Sequence, residues 1–278
     1  MKIGVFTVML PDLTPEEAAA ELKTSGYDGV EWRVTTVPEA RKNEAPSFWG
    51  NNYCTLEPTQ EDAKRAKALS EKYGLEQPGI GTYISLGDMD AVKAARDFCQ
   101  TAGIGQFRVG FNNFEGAYLE HFNKAEKFLA EVLELLKGTG IKAMIEIHHR
   151  TIVPSAGLMH RLISQFDPAS VSVIYDPGNM AYEGFEDYRM GIELLGPYMT
   201  HVHLKNAKTQ PNDNGVWTYT WAPLEDGVVD FDALLTALKE VGYNDWLVIE
   251  DFSGKRPSRE ALKQNLEFVR AKLQKAGY

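Results

Sequence analysis

The chain has 278 residues, of which 44% are apolar and 24% charged, and a formal net charge of −10. This is the balance of a globular protein with a sizeable core, which excludes a disordered chain, and the acidic charge argues against a nucleic-acid-binding surface, which usually carries a basic face. The length suits either two ordinary domains or one αβ barrel.

Cys54 and Cys99 are the only cysteines, far apart and without metal-type spacing, so they read as free thiols of a reducing compartment. The apolar start IGVFTVML is cut short by Pro11 and Asp12, too short for a signal peptide. No run reaches the roughly 18 apolar residues of a membrane span. A cytoplasmic protein is expected, with no membrane or nucleic-acid partner.

Residues 2–9 read as a first strand. Thr14, Pro15 and Glu17 then supply an N-cap, a first-turn proline and a third-position acid for a helix that ends at Gly26. In a second strand, 29–34, Val30, Trp32 and Val34 form the apolar face and Glu31 and Arg33 a polar face that could point into a barrel. The mixed stretch 35–58, with Trp49 and Tyr53, is long for a connection and reads as a lid or binding loop. A helix over 59–73 leads to a third strand, QPGIGTYIS, with Tyr83 near its end. A helix over 90–103 leads to a fourth, 104–111, whose alternation puts Arg108 on the polar side, facing the site. An amphipathic helix spans 118–138.

The fifth strand, IKAMIEIHHR (141–150), turns polar at its end. Met144, Glu146 and His148 share one face and Ile145 and Ile147 the other. Three later strands stop in the same way, SVSVIYD on Asp176, MTHVH on His203 and WLVIE on Glu250, with helix-like segments at 157–166, 187–196, 231–242 and 257–275. Eight strands each followed by a helix require a parallel sheet, most simply closed as a (β/α)8 TIM barrel forming one domain over residues 1–278. An open doubly wound sheet is the alternative, but no turn reads GxGxxG.

In such a barrel the C-terminal strand ends form the active-site face. Glu146, Asp176, His203 and Glu250 would meet there as a hard, oxygen-rich set suited to Mn²⁺, Mg²⁺ or Co²⁺, with Zn²⁺ left open. These residues resemble the xylose isomerase-like barrels, and within them the sugar isomerase and epimerase group that includes ketose 3-epimerases, hydroxypyruvate isomerase and inosose dehydratase. The resemblance covers nearly the whole chain and rests on the strand-five Glu, YDPGN, HVHLKN, WLVIED and the LEDGVVD turn at 224–230. It implies one divalent metal, Mn²⁺ first, on Glu146, Asp176, His203 and Glu250, with Glu146 and Glu250 doubling as acid and base. Two positions depart from the ketose epimerases, which often have Pro after the strand-five Glu and His three residues after the strand-six Asp. Here they are Ile147 and Asn179.

His148 is then either a catalyst or a residue that orients one. His201, Lys205, Arg108, Tyr83, Asn179 and Trp217 are candidates for binding substrate, whereas His149, His121 and His160 are expected to be structural. Trp217, Tyr219 and Trp221 form either a wall over a sugar or loop packing.

The expected activity is that of a metal-dependent sugar isomerase or epimerase acting on a keto sugar: one Glu takes the proton alpha to a chelated carbonyl, a cis-enediolate results, and the other Glu returns the proton. A lyase of the same group, a dehydratase or a deglycosidase of 3-keto glycosides, shares the first step. An apurinic endonuclease would need further His and acidic ligands on the first four strands, and a non-catalytic sugar-binding barrel would have lost a ligand. A homo-oligomer is expected, and a separate partner subunit stays open.

Overall fold

The computed structural model describes residues 1–183 and 185–278. Its barrel strands are β1 (Lys2–Phe6), β2 (Gly29–Arg33), β3 (Ile80–Gly81), β4 (Gln106–Val109), β5 (Lys142–Glu146), β6 (Val171–Tyr175) and β7 (Met199–Leu204). A hairpin of β8 (Asn206–Pro211) and β9 (Trp217–Ala222) follows, and β10 (Trp246–Ile249) completes the barrel. The closed order is β1-β10-β7-β6-β5-β4-β3-β2, parallel throughout. This is the expected (β/α)8 barrel.

Helices α1 (Pro15–Ser25), α2 (Gln60–Tyr73), α3 (Met89–Ala102), α4 (Tyr118–Leu136) and α5 (Ala156–Ile163) each follow one of the first five strands. A short α6 (Pro177–Met180) and then α7 (Tyr188–Leu195) follow β6, α8 (Phe231–Glu240) follows the hairpin, and α9 (Ser258–Ala276) follows β10. Among the described residues no helix is long and apolar enough to cross a membrane.

Local chemistry sets these boundaries. Thr14 and Glu17 form a capping box at the start of α1, and Gly26 closes that helix in the left-handed conformation. Ser155, Asp187 and Asp230 cap α5, α7 and α8 through their side chains. Between helices and strands lies an apolar shell that includes Leu22, Leu129, Val132, Leu162 and Leu266. Inside the barrel the floor is polar but paired: Gln106 Oε1 accepts from the hydroxyls of Ser172 (2.8 Å) and Thr200 (3.2 Å).

Three expectations change. The first strand stops at Phe6, and Thr7–Met9 turn into a 3-10 helix. The third strand pairs only at Ile80–Gly81, just after Pro78, a residue with no amide hydrogen to give a ladder. The stretch carrying Trp217, Tyr219 and Trp221, read from the sequence as loop, belongs to an antiparallel hairpin in register from Asn206↔Ala222 to Pro211↔Trp217.

Gly29 is a close-approach position. A Cβ there would lie 2.5 Å from the Trp246 ring and 2.6 Å from the Glu76 carbonyl oxygen. Backbone cannot retreat as a flexible side chain can, so Gly29→Ala is expected to cost about 1–3 kcal/mol of stability, read as a lower urea midpoint at unchanged slope.

Candidate metal centre and cavity

The cluster is built from strand ends. Glu146 is the last residue of β5, Asp176 follows β6 and caps α6, His203 lies in β7, and Glu250 follows β10. One ligand atom from each of these four residues can be chosen so that all lie within 4.8 Å of one another, and all four side chains are buried. His203 Nδ1 stands 3.4 Å from Glu146 Oε1, 3.6 Å from Glu250 Oε2 and 3.9 Å from Asp176 Oδ2.

Neighbouring groups clamp the carboxylates. Arg108 Nη1 meets Glu146 Oε2 at 2.6 Å, and the same guanidinium donates to the Thr82 carbonyl. Lys205 Nζ lies 2.5 Å from Glu250 Oε2 and 2.7 Å from Asp176 Oδ2, beneath the rings of Trp221 and Phe252. Asn179 Nδ2 donates to Asp176 Oδ2 (2.8 Å), Glu146 Oε1 (3.2 Å) and the Ile147 carbonyl (3.1 Å). On the far side of His203, Glu31 of β2 accepts from its Nε2 at 3.1 Å and from His201 Nε2 at 2.8 Å.

The electrostatics follow from burial and contact. Burial alone would push the Glu146 carboxyl up, but Arg108, His203 and Lys205 hold it well below the usual range. Glu250 is lowered against burial by Lys205 and His203. Burial wins at Asp176, which is pushed up to about 7 despite Lys205. Burial would lower His203, yet Glu31 and Glu250 hold it well above the usual imidazole value.

The donor set suits a divalent cation on two grounds. Among the described residues, the four carboxylates of the cluster, Glu31 included, are in direct contact with only two permanent cations, Arg108 and Lys205, so two negative charges remain to be met by protons on His203 and Asp176 or by a divalent ion. Among the described residues His203 Nδ1 is buried without a hydrogen-bond partner while it faces three carboxylates, a placement in which a metal could take the position of its proton.

A cavity of about 920 Å³ opens from this cluster between the loops that follow β3 and β4. Glu146, Glu250, Lys205, Arg108, Tyr83 and His148 all reach it. Tyr83 stacks on the guanidiniums of both Arg108 and Arg33. From the long 35–58 connection Trp49 reaches the cavity and packs on Phe252, ring centroids 4.7 Å apart.

Several candidates are placed differently from expectation. His201 is wholly buried under Glu31 and does not line the cavity, and it sits two residues deeper in β7 than His203, away from Glu146, Asp176 and Glu250. Asn179 is also wholly buried and bridges ligands instead of facing substrate. Trp217, at the far end of the hairpin, is 69% exposed and away from the cavity, whereas Trp221 lines it. Tyr219 packs on Tyr182. His149, expected to be structural, lines the cavity beside His148. The strand ends at Glu146, so face alternation no longer applies, and the two rings stack at 4.4 Å.

The two imidazoles have assignable protons. His148 Nδ1 meets the His149 carbonyl at 2.8 Å, and a carbonyl only accepts, so Nδ1 carries the hydrogen and Nε2 is bare. Burial lowers His148 below its ordinary pKa. His149 Nδ1 donates to Asn179 Oδ1 at 3.0 Å, and burial with the neighbouring His148 brings its pKa down to about 4.

Comparison with known proteins gives a consistent result. A family model described as a xylose isomerase-like TIM barrel matches residues 19–272. An inosose dehydratase of Bacillus thuringiensis (strain Al Hakam) is 25% identical over 98% of this chain and 97% of its own. A structure of L-ribulose 3-epimerase superposes with a TM-score of 0.74 at 17% identity, covering 99% of this chain and 95% of the other. The IOLI protein with a bound zinc atom superposes with a TM-score of 0.74 at 16% identity, covering 99% of each chain. At these identities the two superpositions speak to fold alone.

Reconstituted protein is expected to bind about one divalent ion per chain by elemental analysis, and Glu250→Gln to weaken that binding more than the 10–100-fold typical of an outer-sphere partner. Equal retention by the variant would remove Glu250 from the ligand set. In NMR titration the His149 ring is expected to have its midpoint near 4. Its folded pKa lies below the unfolded value near 6.5, so the stability gained by burying the neutral ring is complete above about 6.5 and is lost as pH falls towards 4. His149→Gln should flatten that part of the stability profile.

Proposed function

Because the chain belongs to the xylose isomerase-like TIM barrel family, we propose that it is a divalent-metal enzyme that removes the proton alpha to the carbonyl of a keto sugar. The observation that carries this reading is the convergence of Glu146, Asp176, His203 and Glu250 in one buried cluster, of which Glu146 and Glu250 line the cavity. Those four residues would hold the ion, Mn²⁺ by the oxygen-rich donor set. When bound, it supplies Lewis-acid stabilisation of charge growing on the substrate oxygens.

The rest of the chemistry belongs to side chains. Epimerisation or isomerisation uses Glu146 and Glu250 as paired acid and base, which the position of both at the cavity floor supports. The two are not equivalent. Arg108 and Asn179 occupy both oxygens of Glu146, and Arg108, His203 and Lys205 hold its carboxyl well below the usual range, which makes it a weak proton acceptor. His148, neutral and with a bare Nε2, is a better base than an acid. In an elimination it takes the α-proton, becomes imidazolium and delivers that proton to the departing oxygen. The ring thus serves both steps, and no separate acid is needed. This asymmetry favours elimination, a dehydratase-type or deglycosidase-type reaction, over a reaction that relies on two matched carboxylates. The relative named inosose dehydratase points the same way. Trp49, Trp221 and Phe252 offer apolar faces against which a sugar ring can stack.

A panel of ketoses and 3-keto sugars assayed in D₂O separates the readings. With elimination, wild type produces an unsaturated ketone, and His148→Asn lowers both α-deuterium exchange and product formation by about 10² or more while the metal stays bound. With epimerisation by the carboxylates, exchange and turnover survive the substitution within a few-fold and the product is an epimer. No exchange with any panel member would sink the enolising reading itself.

A further inference from the structure

Glu31 is the least expected charge in the molecule. It lies on β2, separated from β7 by β1 and β10 in the closed barrel order, and its side chain is wholly buried. One oxygen, Oε2, accepts from both His201 Nε2 (2.8 Å) and His203 Nε2 (3.1 Å), while Oε1 has no hydrogen-bond partner among the described residues. An ionised carboxylate so deep in a core is costly unless its partners need it.

We propose that Glu31 is the positioning residue of the metal centre: it reaches across the barrel to hold the proton of His203 on Nε2, so that Nδ1 presents a bare lone pair towards Glu146, Asp176 and Glu250. This rests on the metal reading above. A carboxylate accepts only, so a ring that meets it must donate from Nε2, and a neutral ring then has no hydrogen at Nδ1. The same contact makes Nδ1 more electron-rich and fixes the ring plane, as outer-sphere carboxylates do for metal-bound imidazoles generally. Phe6 completes the cradle, stacked on the His203 ring at 5.9 Å and 27°. His201 acts one step further out. By holding the same oxygen from below, it keeps Glu31 from turning away.

Glu31, His201 and His203 could themselves be taken for a second cation site, since their ligand atoms also lie close together. Charge argues otherwise. One divalent ion already balances the two unmatched carboxylates, and a second would leave the buried cluster with two surplus positive charges. The Nε2 atoms that such an ion would need are also committed to Glu31 at hydrogen-bond distance.

The test uses ¹⁵N-histidine-labelled protein loaded with ¹¹³Cd²⁺, alongside Zn²⁺ affinity measured by chelator competition. In wild type the His203 signal should show coupling to cadmium through Nδ1 with the proton retained on Nε2. Glu31→Gln should then raise the Zn²⁺ dissociation constant by about 10–100-fold and broaden or shift the Nε2 proton. His201→Asn, whose effect is indirect, should cost less. Coupling through Nε2 would overturn the proposal in favour of the second cation site. Nδ1 coupling with an unchanged Zn²⁺ constant in Glu31→Gln would overturn it while leaving the metal centre standing. If Glu31→Gln fails to fold, the coupling pattern of wild type and the affinity of His201→Asn still decide: Nδ1 coupling without any loss in His201→Asn would count against the relay. Absence of any cadmium coupling to His203 would overturn the metal reading and this proposal with it.

Discussion

Carboxylates cannot share the closed interior of a barrel unless positive charge is brought to them. Glu31, Glu146, Asp176 and Glu250 surround one imidazole, and each would face a severe desolvation penalty alone. Arg108 and Lys205 meet part of the demand, and His203 and the protonation of Asp176 respond to the rest. Much of the surrounding architecture serves this arrangement. Asn179 spends its amide on two ligands and a carbonyl, Thr82 fixes Arg108, and Trp221 and Phe252 cover Lys205. A protein needing stability alone would fill this space with apolar side chains.

The cluster also makes the two ends of the proposed proton path unlike each other. Glu146 is clamped by a guanidinium, whereas His148 sits just past the strand end, with one nitrogen satisfied by a carbonyl and the other free. A superfamily fold does not select between epimerisation and elimination. In the proposed reaction that choice falls to whichever base is still basic at neutral pH, and a few contacts around Glu146 and His148 bear on it.

The barrel and the four residues that cluster at its strand ends can be read from the order of apolar runs and the residues that end them, because a parallel strand buried on both sides has little choice of register or face. Depth is harder to read. Alternation places His201 and His203 on one face, but two residues along a strand are about 7 Å apart, enough to put one ring among the carboxylates and the other beneath Glu31. Glu31 shows polar-face periodicity in the sequence, yet its partner is on a strand some 170 residues later, and no local pattern encodes that. Past Glu146 the chain leaves the strand, so periodicity misjudges His149. The hairpin of residues 206–222 is marked in the sequence by Asn214-Gly215 and the alternation of Trp217, Tyr219 and Trp221, a signal that a reading as loop passes over, and Trp217 is carried to its exposed end.

One irregularity has a consequence for descent. Between β6 and β7 the pairing passes from Val173↔Met199 to Ile174↔His201, so Thr200 is skipped. That extra residue sets which face of β7 meets the barrel axis from His201 onward. Loss or gain of a single residue here would turn both imidazoles outward and carry their neighbours in. Lineages that keep this chemistry are therefore free to vary residue type along much of the shell, but not residue number in β7, whereas the hairpin just beyond it can lengthen or shorten with little effect on the ligands.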